Sequence, residues 1–169
     1  LGAQLARAGA QVSAVARGAA LQALQQDGMV LHSAGTTLRS PVTAAQDPAA
    51  LGVQDLVIVS VKAPALRAVA QHIAPLLGPN TMVLSAMNGV PWWFLQGFGG
   101  SYAGAALQSV DAGGSIAQHI AAQHIVGCVV HASCSTSAPG VAQHHFGNGL
   151  IIGEPSGEKT ARVLALQAL

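Results

Sequence analysis

Lys62 is one of two lysines in 169 residues, the other being Lys159, and it directly follows the apolar run LVIVSV of residues 56–61. A chain with only 8% charged residues has little reason to place an ammonium there by accident. Emerging from a buried strand, it could contact a phosphate, a ribose hydroxyl or a substrate carboxylate; the plainer alternative is a solvated lysine. Asn88-Gly89 stands in the same relation to a second run, MVLSAM of residues 82–87. Asn-Gly is a strong hairpin signal. The following PWWF does not match as a partner strand, so the pair reads as a backbone turn that exposes the Asn88 amide. An amide donates and accepts, which suits a hydroxyl group.

Arg17 follows QVSAVA, residues 11–16. In a dinucleotide-binding sheet an acid at the end of the second strand favours NAD, and a nearby arginine accommodates the 2′-phosphate of NADP. Arg17 holds the place of that acid; a solvated loop arginine is the equal alternative. His131, in GCVVHASC, is expected at a strand end, as a satisfied structural group in the plainer reading and a proton shuttle in the sharper one. Ser133 shares that edge and could offer its backbone N–H to a cofactor, while no Gly-x-Ser-x-Gly elbow surrounds any serine. Trp92 and Trp93 read as core or domain-contact aromatics. Cys128 and Cys134 read as buried or half-buried thiols, not a disulfide framework. The seven histidines lack cysteine or carboxylate company at metal-site spacings, so no metal is expected.

The elements that must position these residues follow from hydrophobic pattern. The runs at 56–61 and 82–87 are apolar throughout, as in strands of a parallel sheet covered on both faces. Between them Pro64 suits the first turn of a helix. Leu66, Val69, Ala70, Ile73 and Leu77 then share one helical face up to Gly78-Pro79. This is a βαβ unit, and ligands of open parallel sheets bind outside the C-terminal strand ends, where Lys62 and Asn88 lie. Elsewhere the pattern predicts a first helix with Leu1, Leu5 and Ala8 on one face, stopped at Gly9; a strand over 11–16; a helix over 19–26; and an antiparallel appendage of Met29–Ser33 and Thr36–Val42. A single helical turn is expected after Asp47-Pro48. Residues 96–104 are too glycine-rich for regular structure, and 107–123 are ambiguous. Strands are expected over 125–132, 141–146 and 150–153, with SCSTSAPG as the loop between the first two. A closing helix should carry Val163, Leu166 and Leu169.

The length fits one domain, with the whole chain, 1–169, as its extent. A formal net charge of +1 leaves no electrostatic footprint for nucleic acid or an anionic membrane. Mean hydropathy is high at +0.47, but no apolar run approaches the roughly 18 residues that span a bilayer. The chain opens inside one helical pattern and closes inside another, so it reads as a piece of a longer protein.

Taken together, VSVKAPAL, MNGV, GCVVHASC and the PGV…HHFGN.LIIGEP pattern resemble the N-terminal NADP-binding domain of the 2-dehydropantoate 2-reductase (ketopantoate reductase) family, over essentially the whole chain. The resemblance implies a Rossmann-like, doubly wound α/β fold, mostly parallel with a few antiparallel strands, lacking its first strand and the C-terminal helical domain. It implies NADPH-dependent reduction of 2-dehydropantoate to pantoate, in pantothenate and coenzyme A synthesis, in the cytoplasm. Arg17, Lys62, Asn88 and Ser133 would bind cofactor, and Asn88 and Lys62 also the small 2-oxo acid; a homo-oligomer is left open. The glycine loop would precede Leu1 and the family's catalytic lysine would follow Leu169, so no catalytic residue is expected within the chain and the piece alone should be inactive. Competing readings are a reductase of another small 2-oxo acid and a non-catalytic nucleotide-binding module.

Overall fold

In the computed structural model, which describes residues 1–97 and 99–169, hydrophobic runs become strands and amphipathic runs become short helices. The elements are α1 (Gly2–Arg7), β1 (Ser13–Val15), α2 (Gly18–Asp27), β2 (Met29–Ser33), β3 (Thr36–Ser40), β4 (Thr43–Ala45), β5 (Leu56–Val59), α3 (Ala63–His72), β6 (Met82–Ala86), β7 (Ile125–Ala138), β8 (Val141–Gly153) and α4 (Ala161–Gln167). A six-stranded sheet runs β3-β2-β8-β7-β6-β5, and β1 pairs with β4 in a separate two-stranded sheet. The β1–β4, β2–β8, β5–β6 and β6–β7 pairs are parallel, while β2–β3 is antiparallel. The mixed, mostly parallel α/β expectation therefore holds. The chain forms two compact units: residues Leu1–Leu51 with His131–Gly149 and Leu169, and residues Gly52–Val130 with Leu150–Ala168.

In the first unit, α2 ends at Gly28, whose φ of +70° suits glycine and whose missing side chain leaves room for the Ser40 carbonyl. Ala34 and Gly35, both at positive φ, close the β2–β3 hairpin as a two-residue turn requires. Three expectations change here. The hairpin is no appendage, because β2 also pairs in parallel with β8, Val30 opposite Val141. The strand expected over 36–42 stops at Ser40, since Pro41 has no N–H for the ladder, and residues 43–45 turn to β1 instead. Helix α1 buries Ala3, while Leu1 is exposed.

The largest correction concerns SCSTSAPG, expected as a loop. Strand β7 continues to Ala138, and only Pro139-Gly140 turn the chain into β8. Small hydroxyl side chains are tolerated on the exposed faces of a paired hairpin, so tertiary pairing overrides their weak local preference. The break expected between 146 and 150 is likewise absorbed into β8: Gly147, at φ +74°, approaches the His131 carbonyl where any side chain would clash. His131 accordingly lies inside β7 and not at a strand end.

In the second unit, β5, α3 and β6 form the expected parallel pair with its connecting helix, Leu56 opposite Met82 and Val59 opposite Ser85. Pro64 stands in the first turn of α3. The helix is shorter than its periodicity suggests. Pro75 cannot donate to the ladder, so after His72 the chain tightens into a 3₁₀ turn at Ala74–Leu76. Leu66, Ala70, Ile73 and Leu76 are buried, with Leu76 taking the place expected for the half-buried Leu77. Leu84, Ala86, Val126, Cys128, Val163 and Leu166 make one core cluster. Leu169, expected on the buried face of the closing helix, is exposed beyond the end of α4.

Among the described residues of 91–97 and 99–124 the chain forms turns, irregular stretches and two short 3₁₀ segments. Asp111 organises part of them: its buried carboxylate accepts from the backbone N–H of Ile116 (2.8 Å) and Ala117 (3.0 Å). Phe98, within the stretch read as glycine-rich, lies outside the described residues. Among the described residues no helix is long and apolar enough to cross a membrane.

Candidate functional site

Adjacent parallel strands end on the same side, so β5 and β6 deliver their next residues to one edge of the second unit. Lys62, three residues past Val59, is the N-cap of α3 and is exposed. Its extended backbone (φ −70°, ψ 148°) bridges strand to helix, and its carbonyl accepts from the N–H of Ala65 at 2.9 Å. Asn88 follows β6 by two residues and is also exposed. The structure thus brings Lys62 and Asn88 to the C-terminal edge of neighbouring strands, as the sequence predicts.

The Asn88 amide is engaged. Its Oδ1 accepts from the Val130 backbone N–H at 2.9 Å, and its Nδ2 donates to the Val130 carbonyl at 3.1 Å. One Nδ2 hydrogen and one Oδ1 lone pair remain for other partners. Behind this edge, Trp93 Nε1 donates to Ser85 Oγ at 3.2 Å, and the Trp93 ring packs where Gly127 has no side chain. Trp92 is buried, and among the described residues its indole N–H has no partner. Both tryptophans serve packing in this unit.

Arg17 and Ser133 belong to the first unit. Arg17 is the exposed N-cap of α2, two residues past β1, with Gly18 at φ +53° after it. Its position just beyond a parallel strand is the one read from the sequence. Ser133 is half-buried within β7. Cys128 and Cys134 are free, the first buried and the second exposed, and burial pushes the Cys128 thiol pKa up. Among the described residues no three His, Cys, Asp or Glu side chains are grouped as metal ligands.

The strongest electrostatic feature is one that sequence reasoning missed. Glu154 and Arg162 form an ion pair with N–O distances of 2.5 and 2.6 Å, and Thr160 Oγ1 donates to the same carboxylate at 2.5 Å. Arg162 also donates to the carbonyls of Gln123 and Ile125. Its hydrogen bond holds the Glu154 carboxyl below the usual carboxylate range, against the opposing effect of burial. The spacing Glu154, Thr160, Arg162 around a helix start was the available signal.

Parallel strands that lead directly into helices, β1 into α2 and β5 into α3, with an exposed ammonium and amide at the ends of β5 and β6, define a Rossmann-like α/β protein. Known proteins agree. The family model described as ketopantoate reductase PanE/ApbA matches residues 1–92, and this chain belongs to that family. A 2-dehydropantoate 2-reductase from Mesorhizobium japonicum is 44% identical over 167 residues, 98% of this chain and 51% of that protein. A solved structure from Ralstonia solanacearum MolK2, named as a candidate ketopantoate reductase, is 53% identical with a TM-score of 0.95, over 99% of this chain and 52% of that one. The 2-dehydropantoate 2-reductase of Geobacter metallireducens GS-15 is 25% identical with a TM-score of 0.76, over 99% and 49%. The chain thus spans about half the length of the relatives it matches.

Proposed function

We propose that the protein to which this chain belongs reduces 2-dehydropantoate to (R)-pantoate with NADPH, in the cytoplasm, as a step of pantothenate and coenzyme A synthesis. Residues 1–169 are then its dinucleotide-binding domain. The observation that carries this reading is Lys62 and Asn88 at the C-terminal ends of adjacent parallel strands, in a chain of the ketopantoate reductase family.

The residues suit a dinucleotide and a small carboxylate. Exposed Arg17 and Lys62 can each meet a phosphate without the cost of burying a charge. Arg17 neutralises the 2′-phosphate that separates NADPH from NADH. Lys62 binds cofactor phosphate or ribose, or the substrate carboxylate. Asn88 uses its remaining donor and acceptor between ribose and substrate, and Ser133 meets the cofactor through its backbone. NADPH, when bound, supplies the hydride that reaches the substrate carbonyl carbon. The proton donor, a lysine beyond Leu169, is outside this chain, so residues 1–169 alone are inactive.

The test is oxidation of NADPH by the full-length protein on adding ketopantoate, followed by loss of reduced-nicotinamide absorbance. Turnover of a different 2-oxo acid in place of ketopantoate would reassign the substrate. Nucleotide binding with no turnover of any 2-oxo acid would make this a binding module.

A further inference from the structure

The two bonds between Asn88 and Val130 fall in register with a ladder that the backbone has just abandoned. Strands β6 and β7 pair in parallel as Val83–Ile125, Leu84–Val126, Ser85–Gly127 and Ala86–Cys128. Two steps on, position 88 stands opposite 130. The β6 backbone does not reach that step as a strand: the Met87 N–H folds back onto the Ser85 carbonyl at 2.8 Å, and Gly89 at φ +103° turns the chain away. The Asn88 side chain fills the vacated place, accepting from the Val130 N–H and donating to the Val130 carbonyl. A primary amide carries the same donor and acceptor as a peptide group.

This pairing also fixes which end of the amide is which. Exchanging Oδ1 and Nδ2 would set donor against donor and acceptor against acceptor. We propose that Asn88 is a positioning residue, a surrogate peptide group that completes the β6–β7 ladder and thereby holds its own spare N–H and lone pair in one orientation at the strand edge. The clamp stands on the geometry alone; that the spare groups meet cofactor rests on the function proposed above.

The experiment uses the full-length protein, isotope-labelled, with and without NADPH. In the wild type, a scalar coupling across the hydrogen bond should link the Val130 amide nitrogen to Asn88 Cγ without ligand. Adding NADPH should shift one Nδ2 proton and leave the coupling in place. In Asn88→Ala, exchange of the Val130 amide should rise roughly tenfold, the order expected for losing one net hydrogen bond, while that of Val126 stays slow. Absence of the coupling overturns the proposal, as does unchanged Val130 exchange in Asn88→Ala. If NADPH breaks the coupling, the amide leaves Val130 to meet the ligand, and the proposal also fails. Should Asn88→Ala not fold, the wild-type coupling decides alone. A protein that shows the coupling but neither binds NADPH nor reduces ketopantoate would sink the proposed function and leave the clamp standing.

Discussion

Lys62 and Arg17 are exposed cations, and among the described residues neither forms an ion pair. A charge-assisted hydrogen bond is worth about 1.5–3 kcal/mol, so Lys62→Ala in the full-length enzyme should lower kcat/KM roughly ten- to a hundredfold while its melting temperature stays within a degree or so. Wild-type kinetics in that variant would remove Lys62 from the cleft. Arg17→Ala should raise KM for NADPH and leave KM for NADH nearly unchanged; equal use of both cofactors by the wild type would argue against the 2′-phosphate role. The two cysteines separate by environment. Thiolate is the reactive form, and burial suppresses it at Cys128 while Cys134 is open. Thiol titration of the native protein should therefore show Cys134 modified rapidly and Cys128 only on unfolding.

At the scale of elements, the start of β7, the end of β8 and the start of α4 are tied by one guanidinium. Arg162→Ala would strand the Glu154 carboxylate, whose side chain is only 6% exposed, and free two carbonyls; a loss of about 2–3 kcal/mol in unfolding free energy is expected by denaturant titration. The pH dependence has a definite sign. The folded carboxyl pKa is depressed, so its contribution is complete above the ordinary glutamate value of about 4.3 and is lost as pH falls through the folded value. Glu154→Gln should flatten that part of the acid limb in thermal melts. Gly127→Ala tests packing instead: its added Cβ would lie 2.6 Å from Trp93 Cη2, and overpacking of this kind costs about 1–3 kcal/mol. The βαβ unit was legible because its strands are apolar on both faces and Pro64 marks the helix start. The long hairpin was not. Residues 133–138 are small and polar, and it is pairing with β8, just across the Pro139-Gly140 turn, that makes them extended. The Asn88 bracket was hidden for a related reason, since a turn asparagine reads the same whether its amide faces water or a neighbouring strand.

At the scale of the molecule, neither compact unit is continuous in sequence. The second needs residues 52–130 and 150–168, and the first needs 1–51 and 131–149. Strands β7 and β8 each supply residues to both. The parallel pairing of β2 with β8 joins residues 111 positions apart along the chain, and a side-chain hydrogen bond between Ser33 and His144 spans the same separation. Such distant pairing slows folding, because the intervening segment must close as a loop before the contact is rewarded. Synthesis from the ribosome makes this a question of order. A nascent chain halted at Gly140 has made β2 and β3 but not the strand that completes them, so Val30 and Leu31, buried at the end, wait without cover. Arrested chains ending before Val141 should be cut by protease within residues 29–40, whereas those released past Gly153 should resist. Between those two lengths β2 has one paired edge and one open edge.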